Sequence, residues 1–331
     1  ISTRDTDADI LRQVYSTVGV GDVFHSDVLN LAGAQSIFPP TFKKAMLLPD
    51  ASDWVRVTLD EWNRFYHHFN AMGPVSYDQY LDAKKKWGSK VSPPVPMKWV
   101  YTVKKHASTG LYNRHKARLV AAQSLVRYSV DDKWSPTLSL DTMRLMLVLA
   151  CLHNADISAL DVSGAYLSGK MDPDDAPIFL RKPDGLSQLN CSPLMPDGSE
   201  PYAFIAKSSI YGLQKACKIY LKSYFKFLSR FGLKPSAVDP CLWYRVIDEN
   251  NWILIGVYSD DNLIVSKGSI RDDFQKFFDS EYSESPDSGE VKPGIIEFLG
   301  MMIQKRVLAH NIVEIEISSP KIMTKLRDLV G

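Results

Sequence analysis

The run ILIGVYSDDNLIVS, residues 253–266, sets two adjacent carboxylates, Asp260 and Asp261, between two apolar stretches of strand character. Aspartate and asparagine suit tight turns because they tolerate unusual backbone angles, so the run predicts a β-hairpin with acids at its tip. A bare Asp-Asp pair says little, since others stand at Asp131-Asp132, Asp174-Asp175 and Asp272-Asp273. The context says more. Far upstream, ISALDVSGAYL is a second strand-like run and carries Asp161. Between them, KIYLKSYFKFLSRF (Lys218–Phe231) reads as a helix with Leu221, Tyr224, Phe225 and Leu228 on one face and Lys218, Lys222, Lys226 and Arg230 on the other, ending at Gly232. After the hairpin come a helix near Arg271–Tyr282, strands near Glu297–Arg306 and Ile312–Ile317, and the start of a helix at Ser318. Strand, helix, hairpin, helix, strand is the order of a split βαβ or ferredoxin-like α+β sheet, whose central strands lie side by side. Such a sheet brings Asp161 next to Asp260 and Asp261.

Three carboxylates in one place repel one another, and one of them takes up a proton unless a cation neutralises the group. Magnesium prefers oxygen ligands and commonly binds one or two carboxylates together with substrate phosphates. Two such ions about 3.5–4 Å apart can serve an in-line phosphoryl displacement. Polymerases and nucleases both use such sites, so spacing alone does not separate them. Tyr166, in DVSGAY, is either an aromatic that crowds the 2′ position of a bound nucleotide or a strand aromatic facing the core.

The remaining sequence bounds the setting. The 331 residues suffice for about two domains, and 45% hydrophobic with 23% charged residues is the globular range. A net charge of +1 excludes a uniformly basic nucleic-acid binder, yet Lys84–Arg127 holds eleven Lys or Arg and no acid. That block is either a solvated surface or the footprint of a phosphate-rich partner. It contains KWVYTVKK (Lys98–Lys105), a turn signal STGLYN and KARLVAA (Lys116–Ala122), which together predict a basic hairpin after the loop SPPVP. A helix is predicted over Pro49–Phe65, entered through Pro and Asp, and another over SLDTMRLMLVLACLHN, capped by Ser139 or Asp141. Cys151, Cys191, Cys217 and Cys241 show no metal-finger spacing, which favours a reducing compartment, no structural zinc and a role as small buried apolar residues. No signal peptide opens the chain, and its longest apolar run, Leu145–Leu152, is too short for a bilayer, so a soluble protein is expected. Starting ISTRD without Met, it is expected to be a piece of something longer.

Several segments, in order, resemble the reverse transcriptase of copia-type long-terminal-repeat retrotransposons. They are KWVYTVKK with HKARLVA, WSPTLSLDTMRLMLVLA, ALDVSGAYLSGKM with IFLRKPDGL, SSIYGLQKA, YSDDNLIVS and EFLGMMI, covering roughly residues 95–320. The resemblance implies a right-hand polymerase: residues 1–75 an N-terminal extension of unclear role, 76–133 fingers with the basic hairpin, 134–317 a ferredoxin-like palm with remaining fingers elements and primer-grip strands, and 318–331 the start of a truncated thumb. Asp161, Asp260 and Asp261 would be the catalytic, metal-binding triad, with the Val162 carbonyl a further ligand for two Mg2+ ions, for which Mn2+ can substitute. Lys105, Arg118, Ala165, Tyr166, Gly212 and Gln214 would contact the nucleotide, Tyr166 as the gate against ribonucleotides, and Leu299, Gly300 and Met301 would grip the primer.

The partners so implied are a primed RNA or DNA template, dNTPs and the other Pol domains, integrase and ribonuclease H, in a cytoplasmic virus-like particle or the nucleus, with no membrane. The chain departs from the family at Gln214-Lys215-Ala216-Cys217, where the usual order is Lys-Gln-Ala-Pro, at Ser259, where an apolar residue is usual, and at Ala122-Gln123, where a basic residue followed by Gly is usual. These departures keep open a decayed or domesticated copy that only binds nucleic acid. An unrelated αβ protein whose Asp-Asp is merely a turn is the third alternative.

Overall fold

The computed structural model describes residues 39–105, 111–122, 134–282, 295–319 and 323. Its first half contains α1 (Phe42–Ala45), α2 (Ala51–Trp62), β1 (Met72–Val75), α3 (Tyr77–Trp87), β2 (Met97–Lys105), β3 (Tyr112–Ala121), α4 (Leu140–Leu152), β4 (Asp156–Asp161) and α5 (Ala165–Ser168). Its second half adds β5 (Phe179–Leu180), β6 (Ala203–Ala206), α6 (Ala216–Arg230), β7 (Lys234–Pro235), β8 (Leu242–Asp248), β9 (Asn251–Tyr258), β10 (Asp261–Lys267), α7 (Ile270–Tyr282), β11 (Ile295–Phe298), β12 (Met301–Val307) and β13 (Val313–Ser318). The fold is mixed α and β with several sheets. It divides into two compact units, the first from the described residues before Phe69 with 97–120 and 182–193, the second from 69–96, 121–181 and the rest.

The second unit is built on a five-stranded sheet in the order β4-β10-β9-β8-β7. β10 is antiparallel to both β4 and β9, so β4 and β9 run parallel with β10 between them. This is the side-by-side placement that the strand-helix-hairpin order predicts. β9 and β10 read as nearly continuous apolar runs because both are buried along almost their whole length. Gly256 in β9 is where α4 comes close, since a Cβ there would lie 2.6 Å from Leu138 Cδ2 and 2.9 Å from Met146 Sδ. α6 buries Leu221, Tyr224 and Leu228 as its periodicity predicts, and Tyr220 and Phe227 with them. Its cationic stripe stays exposed, with Lys222 paired to Asp172 at 2.9 Å and Arg230 to Glu281. Ser139 caps α4 by accepting from Thr142 N at 3.1 Å, which decides between the two predicted caps. Asp239, at the start of β8, accepts from Ser139 N at 3.0 Å and from the Thr142 hydroxyl at 2.7 Å, fastening that helix end to the sheet.

The stretch expected as one strand over 297–306 is two, β11 and β12, broken where Leu299 and Gly300 take φ of 51° and 75°. A side chain at a left-handed position cannot continue a pleated strand, so the chain folds back on itself there. The predicted STGLYN turn falls largely, and the predicted helix after Ser318 almost wholly, outside the described residues.

In the first unit the predicted helix is α2 followed by a π-helical turn, Asn63–His68. Asp50 stands at its N-cap but makes no capping bond. Its carboxylate instead binds the buried His115 of β3 at 2.8 Å, and His115 in turn meets the Tyr112 hydroxyl at 2.8 Å. About two helical turns further the Thr58 hydroxyl is 3.0 Å from that of Tyr101 in β2. At the end of α2, Glu61 accepts from Leu119 N at 3.2 Å. The helix is thereby pinned to the basic β2–β3 ribbon through buried polar contacts, which are directional where apolar packing is not.

Burial pushes the Glu61 carboxyl above the ordinary range, and the Leu119 amide with Arg64, Lys116 and Arg118 offsets only part of that. A raised carboxyl binds more protons folded than unfolded, so its stabilising share is complete at low pH and is lost as pH rises through the folded value. Glu61→Gln keeps the acceptor and removes the charge. It is expected to raise the melting temperature at pH 7–8, read by tryptophan fluorescence, with the gap closing as pH falls into the ordinary carboxylate range. Glu61→Ala orphans the Leu119 amide and is expected to cost about 1–3 kcal/mol.

Candidate active site

The positions of the three acids lie at one end of the β4–β10–β9 sheet. In the ladder Asp261 lies directly opposite Asp161 on one side and opposite Tyr258 on the other. Asp260 forms the two-residue turn with Ser259, whose φ of 57° is the left-handed angle such a turn demands. Val162 N donates to the Asp260 carbonyl at 3.0 Å, tying the end of β4 to the turn. The side-chain amide of Asn262, fully buried in β10, donates to the Leu160 and Asp260 carbonyls, each at 3.2 Å. Two strands and one turn thus hold the backbones of Asp161, Asp260 and Asp261 in a fixed relation.

Burial raises the Asp261 carboxyl above its usual range, and the charges of Asp260 and Glu297 raise it further. This is the behaviour of an acidic group short of positive charge. Among the described residues no three His, Cys, Asp or Glu side chains converge as a ready-made metal cage. The donor set still fits a hard divalent cation, which is commonly bound by one or two carboxylates and completed by substrate phosphate and water rather than by an all-protein cage. The Val162 carbonyl accepts from Ala165 N at 3.0 Å, which leaves one of its two lone pairs for a further contact.

Tyr166 stands on α5, just after the β4 strand end. Its hydroxyl lies 2.9 Å from the Ser259 hydroxyl, and its ring meets Tyr211 edge-on with centroids 4.9 Å apart. Burial raises its pKa, the Ser259 hydroxyl offsets part of the rise, and the neighbouring Cys217 and the charge of Asp260 add to it. Cys217 Sγ lies 3.9 Å from Ser259 Oγ. Gly212 has φ of 85°, and a Cβ there would sit 2.1 Å from the Ala121 carbonyl oxygen, so only glycine fits between these backbones. Gln214 is half-buried in the loop before α6. Leu299 and Gly300 form the β11–β12 turn, and Met301 opens β12. Lys105 and Arg118 belong to the first unit, at the end of β2 and within β3, Arg118 half-buried.

The family model described as reverse transcriptase (RNA-dependent DNA polymerase) matches residues 87–325. The chain belongs to the reverse transcriptase family. It is 28% identical over 193 residues to the Retrovirus-related Pol polyprotein from transposon TNT 1-94 of Nicotiana tabacum, over 56% of this chain and 14% of that protein. It is 29% identical over 204 residues to the corresponding polyprotein from transposon RE1 of Arabidopsis thaliana, over 59% of this chain and 13% of that protein, and 29% identical over 189 residues to that from RE2, over 54% and 12%. The chain therefore spans only a small part of the polyproteins it matches, in agreement with the resemblance to a copia-type Pol domain. Among the described residues, no helix of this reverse transcriptase domain is long and apolar enough to cross a membrane.

Sequence reading missed Asn262 and Glu297 as site residues. A buried amide inside an apolar strand run was a visible signal for Asn262, because such a group is kept only where it is hydrogen-bonded. Nothing local marks Glu297. The Ser259 substitution, legible only as a departure from the family, supplies the partner of the Tyr166 hydroxyl. Tyr166→Phe and Ser259→Ala are each expected to lower stability by about 1 kcal/mol in urea unfolding, and the double variant by little more than either alone. Strict additivity would mean the two hydroxyls are not coupled.

Proposed function

We propose that this domain extends a DNA primer along an RNA or DNA template, the primer 3′ hydroxyl attacking the α-phosphate of a deoxynucleoside triphosphate with release of pyrophosphate. The observation that carries this reading is the pairing of Asp161 with Asp261 across the β4–β10 ladder, with the Asp260 carbonyl bonded to Val162 N. Asp161, Asp260 and Asp261 would hold Mg2+ or Mn2+, and such ions when bound supply Lewis acidity toward the hydroxyl and the phosphate oxygens. The sheet contributes rigidity, which keeps the carboxylates in place without reorganisation during the reaction.

In this reading the β4–β10–β9 sheet is the palm, within residues 134–317, and the β2–β3 ribbon belongs to the fingers, within residues 76–133. Lys105 and Arg118 engage the triphosphate, Arg118 through the forked geometry of its guanidinium. The Tyr166 ring, held by Ser259 and Tyr211, crowds the sugar 2′ position, while Ala165, Gly212 and Gln214 line the nucleotide's approach. The Leu299–Met301 turn grips the primer, and residues 318–331 begin the thumb. Integrase and ribonuclease H would lie elsewhere in the parent polyprotein.

The test is metal-dependent extension of oligo(dT) on poly(rA). The wild-type chain is expected to incorporate dTTP, and Asp260→Asn to lose at least about 100-fold in rate while still folding and binding template. Equal activity in the variant removes the mechanism. Salt-sensitive binding by the wild type without incorporation replaces it with a nucleic-acid-binding module.

A further inference from the structure

Lys170 and Lys207 form a cluster of like charge that the reading above leaves unused. Both belong to the second unit, where an isolated antiparallel bridge joins Lys170 to Ser208 and Lys207 N donates to the Ala71 carbonyl at 2.8 Å. The Lys170 ammonium bonds the Phe69 carbonyl at 3.3 Å and the Ser208 hydroxyl at 3.2 Å. The Lys207 ammonium bonds the Asn70 side-chain oxygen at 3.0 Å. Every one of these acceptors is neutral. Lys222 and Arg230, by contrast, each face a carboxylate.

The stem of Lys207 lies across Gly73, where a Cβ would come within 2.7 Å of its Cε. A side chain at position 73 would displace the flexible end of the lysine from this path. Burial lowers the Lys170 pKa, Lys207 lowers it further, and no carboxylate acts to raise it. Two cations oriented by neutral groups, with no carboxylate partner among the described residues, are short of negative charge, the mirror image of Asp261 among its acids.

We propose that Lys170 and Lys207 together seat a backbone phosphate of the bound nucleic-acid strand. An internucleotide phosphate suits the pair because it brings one diffuse negative charge and acceptor oxygens for both ammonium groups, whose remaining N–H donors are still to be used. The role is positional and independent of sequence. It rests on the polymerase reading only in requiring that the domain bind a nucleic-acid strand.

The test is fluorescence anisotropy of a labelled RNA–DNA hybrid titrated with the domain at stepped salt concentrations. Lys170→Gln/Lys207→Gln keeps most of each stem and removes both charges. It is expected to reduce the slope of log K against log salt by about one, the loss of one phosphate contact, with weakening of similar size for hybrids of unrelated sequence. Each single variant is expected to give about half that change, so the outcome does not depend on the double variant folding. Lys234→Gln/Lys276→Gln, two exposed lysines on β7 and α7, is the charge-matched control and is expected to change the slope less. An unchanged slope in the Lys170/Lys207 variant, or an equal change in the control, overturns the site. So does a rise in KM for dTTP with the slope intact, which would assign the pair to a free triphosphate. Failure of the polymerase reading shows separately, as absence of incorporation by a wild-type domain that still binds the hybrid.

Discussion

The register of the β4–β10 ladder is the constraint on which the rest depends. Side chains alternate along a strand, so a slip of one residue would turn every side chain of β10 to the opposite face and move Asp261 away from Asp161. Leu263, Ile264 and Val265 are fully buried, and Leu160 is nearly so, which makes such a slip costly. Asn262 adds a directional lock, since its amide reaches the Leu160 carbonyl across the ladder and the Asp260 carbonyl beside it. The apolar runs around the acids are thus more than hairpin filler. They set the register and so decide where the charges stand.

The lock has an internal cost. The Asn262 side-chain oxygen is buried with no hydrogen-bond partner among the described residues, a loss of about 1–3 kcal/mol against a satisfied group. Tyr166 shows the same preference for orientation over simple burial. Its hydroxyl is aimed at Ser259 in the very turn that carries Asp260, so the ring beside the acids and the acids themselves share one support. A change at the turn would disturb both together. Gly212 and Ala121 add a second rigid contact in the same unit, where two backbones touch with no room for a methyl group.

How much of this was legible in the sequence depended on range. Local pattern was enough for β9 and β10 and for the amphipathic α6, and it narrowed the cap of α4 to Ser139 or Asp141, because each is decided by neighbours within a few residues. It was also enough to suggest that Asp161 and Asp261 would become neighbours, since strand order follows from the order of elements. Local pattern failed where a polar side chain chose a distant partner. Asp50 reads as a helix cap, yet a buried histidine sixty-five residues on outbids the helix amides for its carboxylate. Glu61, inside the predicted Pro49–Phe65 helix, is buried against the Leu119 amide, a partner that no local pattern marks. The break at Leu299–Gly300 was hidden because leucine rarely takes a left-handed angle, and only the pairing of β11 with β12 reveals the turn.

The near-zero net charge hides a strong segregation. The charge of Glu297 adds to that of Asp260 in raising Asp261, while Lys170 and Lys207 stand together elsewhere in the same unit, their ammonium groups on neutral acceptors. A surface meant only for solubility would intersperse the signs, since mixing lowers the self-energy of both. Keeping them apart leaves each group short of its counter-charge and therefore ready to take one from outside. In the reading proposed above, hard cations would satisfy the first group and phosphates the second, and a nucleic-acid strand lying with its reactive end at a cation site would carry both kinds of contact at once. On that reading the separation that raises the energy of the free protein would also be the source of affinity for a charged polymer, in keeping with membership of the reverse transcriptase family.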